Sequence, residues 1–285
     1  MRKKWIVIIG TLLAGGCCTS RPDVAVDSGA ARSIPVMTSS SETPVVETRY
    51  DWHDATRNRA VPVKIYAAAG ADRAPVVIVS RGIGEDRDSY EYLGLALAAR
   101  GFMAVHITHA GTDRATLERG YLHLYRATKD KKNWVNRPLD VSFVLDQLKD
   151  DPRVRVIVPM SMPRMDGVVP PGGYDAIEVP ALNITGTCDS SLIYRTLPRH
   201  RRVPFESGRA AAQYLVTLRG VTHNSFSNRE DVRHPAIAAL AVEFLRAHLM
   251  GDAAAAAFFD TPRKTTFVAT EMTIERNDAG VRAVR

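Results

Sequence analysis

Two polar loops and one glycine turn carry the residues of this chain whose types and order could do chemistry. Asp189 stands in Gly186-Thr187-Cys188-Asp189-Ser190-Ser191, directly after the apolar run 181–185. His223 stands in Gly220-Val221-Thr222-His223-Asn224-Ser225-Phe226, directly after the apolar run 214–218. A carboxylate can fix the tautomer of an imidazole and offset the charge the ring gains when it acts as a general base. The third piece is Ser80-Arg81-Gly82-Ile83-Gly84, at the end of the run 76–79. Its glycines allow a sharp turn or the close approach of backbone to a ligand. Taken singly, Asp189 and His223 also read as ordinary polar loop residues. Their order behind the glycine turn, each at the end of a strand, favours an acid–base relay.

The elements that must position them follow from the pattern of apolar residues. Val76, Val77, Ile78 and Val79 form a short β-branched run that predicts a buried strand. Asp88 and Glu91 make a capping pair for a helix carrying Tyr90, Leu93 and Leu97, which Gly101 stops. A second apolar strand over 102–107 completes a βαβ crossover, so the fold class is α/β with a mostly parallel sheet flanked by helices. Ligands bind such sheets at the carboxyl ends of the strands, where all three candidate pieces fall. The runs 46–52 and 61–67 suit an antiparallel hairpin at the sheet edge. Further on, 117–125 is spaced for a helix, 129–132 reads as a solvated turn, and Pro138 suits the first turn of a helix reaching Leu148. Strands are expected at 154–160, 181–185 and 214–218, and a closing helix at 236–249.

The N-terminus reads differently. Arg2, Lys3 and Lys4 precede an apolar stretch from Trp5 to Ala14, then Gly15, Gly16, Cys17 and Cys18. A basic start, a short apolar stretch and small residues describe an export signal too short to span a bilayer comfortably. Leu13-Ala14-Gly15-Gly16-Cys17 resembles a bacterial lipoprotein signal with Cys17 as the lipidated residue. The expected organisation is a signal over 1–18, a flexible Ser/Thr/Pro-rich linker over 19–45 and a folded domain over 46–285. Localisation follows as export with lipid anchoring to the bacterial envelope, and the membrane is the expected partner through that lipid. With Cys17 and Cys18 in the anchor region, Cys188 would be the only cysteine of the body and no internal disulfide would form. The net charge of +7 drops by three, to +4, without Arg2, Lys3 and Lys4, too mild for a nucleic-acid partner.

The body resembles the predicted dienelactone hydrolases and platelet-activating-factor acetylhydrolase-like enzymes of the α/β-hydrolase superfamily. The resemblance is carried by PVKIY, VVIVSRGIGEDRDSYEYLGLALAARGF, the HAGTD ending at Asp113, RPLDVSFVLDQL, DPRVRVIVPMS, VPALNITGTCDSS and YLVTLRGVTHNSFS. It implies Asp189 as triad acid, His223 as triad base and the N–H of Ile83, between Gly82 and Gly84, as one oxyanion donor. Arg81 replaces the family's usual histidine, which a hole built from backbone N–H groups tolerates. A larger departure is that the chain contains no G-x-S-x-G. Lys149-Asp150-Asp151-Pro152 joins directly two elements between which the family places a strand, the nucleophile elbow and a helix. The strand 154–160 is therefore expected to lie beside 76–79 or to leave a gap there.

Ser161 is a weak substitute nucleophile, ending a strand but lacking flanking glycines. Cys188 lacks an elbow too, and Ser80 and Ser225 read as turn residues. His106 and His109 point to opposite faces of an extended segment, so no metal site is expected, nor any cofactor. Three functional classes stay open. One is a carboxylic-ester hydrolase impaired by loss of its serine, acting on a small ester-like ligand. Another is a non-catalytic, lipid-anchored binding module that keeps the cleft. The third is a fragmentary product that folds poorly because removing a central strand exposes two edges.

Overall fold

The computed structural model describes residues 5–9, 44–71, 74–148, 154–162, 174, 179–191, 196–208, 212–227 and 231–278. In chain order the elements are β1 (Trp5–Ile9), β2 (Val45–Asp54), β3 (Arg59–Ala68), β4 (Val76–Ser80), α1 (Glu91–Ala98) and β5 (Met103–Ile107). There follow α2 (Arg114–Glu118), α3 (Tyr121–Lys129), α4 (Lys131–Gln147), β6 (Val154–Pro159), β7 (Ala181–Cys188), α5 (Val203–Ser207) and β8 (Gln213–Thr222). The chain ends in α6 (His234–Leu245), α7 (Ala253–Asp260), β9 (Arg263–Phe267) and β10 (Thr270–Asn277).

All ten strands join one sheet in the order β2-β3-β5-β4-β1-β6-β7-β8-β10-β9. The six from β5 to β8 run parallel, and antiparallel hairpins close both edges. Alternation along β4 divides two cores, as a pleated strand requires. Val77 and Val79 face the larger one with Leu93, Leu97, Val158, Ile184, Val216, Leu240 and Phe244. Val76 and Ile78 face the smaller one with Val105, Ile107, Val144 and Leu145. Helices therefore cover both faces, α1, α6 and α7 on one and α4 on the other.

The expected slot between β4 and β6 is neither closed nor left open. Trp5–Ile9 occupies it, pairing Trp5–Ile9 with Val76–Ser80 on one side and Ile6–Ile9 with Val156–Pro159 on the other, in parallel with both. A continuous run of Trp, Ile, Val, Ile and Ile has the composition of a strand buried in a parallel sheet, as well as that of a signal's apolar stretch. Cys17 and the linker 19–43 lie outside the described residues.

Several local expectations are corrected. Asp88 and Glu91 do not cap α1. Its N-cap is Tyr90 in the left-handed region at φ 60°, with no side-chain cap, while Asp88 takes a two-pronged bond from Arg49. Residues 129–132 are not a turn, because Asp130 caps α4 by accepting from the Lys132 N–H at 2.9 Å. Pro138 consequently sits inside α4 instead of its first turn. The helix after β8 does not close the chain, since α7 and the β9–β10 hairpin extend the sheet beyond it. Cys188, the only cysteine of the body, is disulfide-bonded; the chain's other cysteines, Cys17 and Cys18, lie outside the described residues.

Candidate active site

Because β4, β6, β7 and β8 are parallel, their carboxyl ends share one edge, and the polar loops that follow them meet there. Met160 still bridges to Ile184 beyond β6, and Ser161 then leaves the sheet with its N–H bonded to the Ile184 carbonyl at 2.8 Å. Asp189 follows β7, and His223 opens the 3-10 turn His223–Phe226 after β8. β7 and β8 come close enough that a Cβ on Gly186 would lie 2.0 Å from the Val221 carbonyl oxygen. Glycine at 186 thus allows the acid and histidine loops to converge.

Asp189 and His223 are both fully buried. Asp189 Oδ1 lies 3.0 Å from His223 Nδ1. A carboxylate only accepts, so a neutral ring bonded to it carries its proton on Nδ1 and its lone pair on Nε2, against the pull of Arg201 Nη2, a donor 3.3 Å from the same Nδ1. Nε2 is buried and has no hydrogen-bond partner among the described residues. Burial lowers the His223 pKa against the opposing pull of Asp189, and the ring is neutral at neutral pH. Burial alone would raise the Asp189 carboxyl, but His223, Arg201 and Ser161 together hold it below the ordinary carboxylate range.

Ser161 lies on the acid side of the ring. Its hydroxyl donates to Asp189 Oδ1 at 2.8 Å and sits 2.6 Å from His223 Nδ1, not Nε2. A nucleophile must give its proton to the basic nitrogen, so this serine supports the carboxylate. Its backbone lies in the left-handed region, φ 52°, which is strained for a serine.

Two supports escaped the sequence reading. Thr185 Oγ1 donates to Asp189 Oδ2 at 2.9 Å. Arg201, in the 3-10 turn Pro198–Arg202 and fully buried, places Nε 3.2 Å from Asp189 Oδ1 and donates from Nη1 to the Ser161 carbonyl at 3.0 Å. No spacing in the sequence marks Arg201, since the residues it joins are distant in the chain.

The Ser80–Gly84 turn lies at the same edge. Gly82 N–H donates to Glu85 Oε2 at 3.2 Å, and Gly84 N–H donates to the Thr112 carbonyl at 2.6 Å. Among the described residues the Ile83 N–H has no such partner. The Ile83 side chain packs on Leu124. Arg81 is buried, donates to the Arg87 carbonyl at 2.5 Å and is pushed down to about 10 by burial. Burial likewise pushes Glu85 up to about 7.

Beneath this turn lies a second serine–histidine–aspartate chain that the sequence reading missed. Ser80 Oγ is 2.9 Å from His109 Nε2, and His109 Nδ1 is 2.9 Å from Asp140 Oδ2. Arg57 and Arg59 clamp the same carboxylate at 2.8 Å each. All three members of the chain are buried, and burial holds the His109 pKa at about 3. So weak a base behind a carboxylate already neutralised by two arginines anchors the turn instead of activating Ser80. His106, by contrast, packs against Tyr66 at a centroid distance of 4.8 Å. An apolar cavity of about 360 Å3 opens between α1 and α6, and neither Asp189 nor His223 lines it.

No protein-family profile and no curated protein matches the chain. Solved structures do. A cold-adapted esterase from an Arctic intertidal metagenomic library superposes with a TM-score of 0.50 at 16% identity, covering 72% of this chain and 94% of the esterase. A dienelactone hydrolase from Anabaena variabilis superposes with a TM-score of 0.52 at 17% identity, covering 71% of this chain and 99% of the hydrolase. At such identities the likeness establishes the fold, which is α/β-hydrolase-like.

Proposed function

We propose that the Asp189–His223 site belongs to a carboxylic-ester hydrolase lineage and survives as a two-residue general base without its serine. The observation that carries this reading is the buried His223 Nε2, which has no partner among the described residues while Nδ1 faces Asp189. Facing an ester, Nε2 takes a proton from water as the water oxygen bonds to the acyl carbon. The carbonyl electrons move onto oxygen, where the Ile83 N–H stabilises them. Collapse then breaks the bond to the alcohol, and the imidazolium returns its proton to the departing alkoxide, giving acid and alcohol. Loss of one oxyanion donor alone costs ~10²–10³ in turnover. The acyl-serine route is lost as well, so turnover is slow.

The test is purified protein with p-nitrophenyl acetate and a fluorophosphonate probe. Slow hydrolysis that His223→Ala abolishes, without stoichiometric serine labelling, is expected. Labelling of Ser161, or turnover indifferent to His223→Ala, overturns the reading. A second reading, a lipid-anchored binding module, is favoured by the absence of any G-x-S-x-G; it predicts saturable binding of ester analogues with no turnover at all. Both readings need the intact sheet, whereas lipid on Cys17 requires a cleavage that removes Trp5–Ile9, so the lipid anchor and the assembled site are alternative states of the chain. The disulfide at Cys188 suits an oxidising compartment.

A further inference from the structure

The five residues Trp5–Ile9 are the core strand that joins the two halves of the sheet. β4 and β6 do not pair with each other, and β1 alone bridges them. Without it the sheet divides into β2-β3-β5-β4 and β6-β7-β8-β10-β9, with two unpaired edges facing each other across its centre. The β4 edge is fully buried: Val76–Ser80 are all at 5% exposure or less. A buried edge of unpaired N–H and C=O groups is a strand-acceptor site.

We propose that this slot is a strand-acceptor site whose occupant is Trp5–Ile9 of the same chain, so that cleavage before Cys17 opens the sheet and folding and signal removal exclude each other. Three observations argue for this occupant. Its register is continuous, with five successive pairs to β4. Its direction is parallel to both neighbours, as a central strand of this sheet must be. The connection is long enough: from β1 to β2 the chain crosses four strand spacings, ~19 Å, and residues 10–44, about 35 of them, extend to ~115 Å.

The slot also governs the site. Ile9 is level with Ser80 on one side and Pro159 on the other, so β1 fixes the spacing between the glycine turn and the strand that delivers Ser161. Opening it frees the oxyanion turn from the Asp189–His223 half.

The experiment compares the full chain with a chain beginning at Cys17 and with full-chain Val7→Pro, reading thermal unfolding and amide exchange instead of turnover. Failure of the ester-hydrolase reading therefore leaves this test intact. Proline at Val7 removes a ladder donor in a central strand and should lower Tm by about 6–12 °C, whereas Lys3→Pro should leave it unchanged. Amides at Val77–Val79 and Val156–Val158 should exchange more than tenfold faster in the chain beginning at Cys17. A synthetic peptide of residues 3–11 added in trans should restore their protection. Unchanged Tm and exchange in Val7→Pro overturn the proposal, even if the shortened chain does not fold. So does a chain beginning at Cys17 that unfolds like the full one.

Discussion

Asp189 and His223 meet through one atom pair, Oδ1 and Nδ1, 3.0 Å apart, and that contact decides which ring nitrogen can act. The other nitrogen is then both basic and unoccupied. Imidazole 15N NMR at pH 7 should show His223 neutral, with its proton on Nδ1. In Asp189→Asn the carboxamide can donate as well as accept, so the proton should shift toward Nε2, and any residual ester hydrolysis should fall with it. An unchanged tautomer in Asp189→Asn would mean that the Ser161 hydroxyl oxygen, not the carboxylate, holds the Nδ1 proton.

Arg201 holds the acid loop from inside. Its guanidinium reaches the Asp189 carboxylate, the Asp189 carbonyl and the Ser161 carbonyl at once. Arg201→Met leaves Asp189 buried without that cation, and breaking a buried pair on one side costs about 3–5 kcal/mol. Urea unfolding should show the loss as a lower midpoint at unchanged slope. Arg201→Lys should not restore it, because an ammonium cannot span the three acceptors that the planar fork spans.

Gly186 sets the approach of β7 to β8. A methyl group there meets backbone, the Val221 carbonyl at 2.0 Å, and cannot be relieved by a side-chain rotation. Gly186→Ala should destabilise the domain by about 3 kcal/mol, at the upper end of overpacking effects. It should also spread the Asp189 and His223 loops, so the tautomer signature above should blur in the same variant. A fully native Tm for Gly186→Ala would show that the two strands yield easily.

The β4–α1–β5 crossover and the edge hairpin were legible because apolar runs and glycines mark them locally. Asp189 and His223 were legible because each follows an apolar strand at once. β1 was not, since Trp5–Ile9 behind three basic residues has the composition of a signal. A parallel partner is chosen by register with strands some 70 and 150 residues away, which no local pattern encodes. The β9–β10 hairpin escaped for another reason: its strands are mostly polar, with Phe267 the one apolar residue of β9, and present few buried positions. Arg201 and Asp140 escaped because a cation or carboxylate in a helical turn reads as solvated until tertiary contacts bury it. Pro138 misled directly, since a helix extended upstream to the Asp130 cap places it in the interior at the cost of one hydrogen bond.

His109 makes the anchor beneath the glycine turn sensitive to acid. In the folded chain it is neutral, giving its Nδ1 proton to Asp140 and receiving the Ser80 hydroxyl on Nε2. Burial, with Arg137 nearby, holds its pKa at about 3, whereas an unfolded histidine titrates near ~6.5. Between those values the unfolded chain takes up a proton that the folded chain refuses. The contribution is therefore complete above about pH 6.5 and is lost as the pH falls toward 3, at a slope of at most ~1.4 kcal/mol per pH unit for this one group. His223, also lowered by burial, works in the same direction. His109→Gln keeps a side chain able to bridge Ser80 and Asp140 but cannot titrate. Urea unfolding at a series of pH values from 7 to 4 should show the stability of His109→Gln falling less steeply than that of the parent chain, by up to one proton's worth of slope. Parallel curves for the two proteins would mean that protonating His109 is not what weakens the fold in acid.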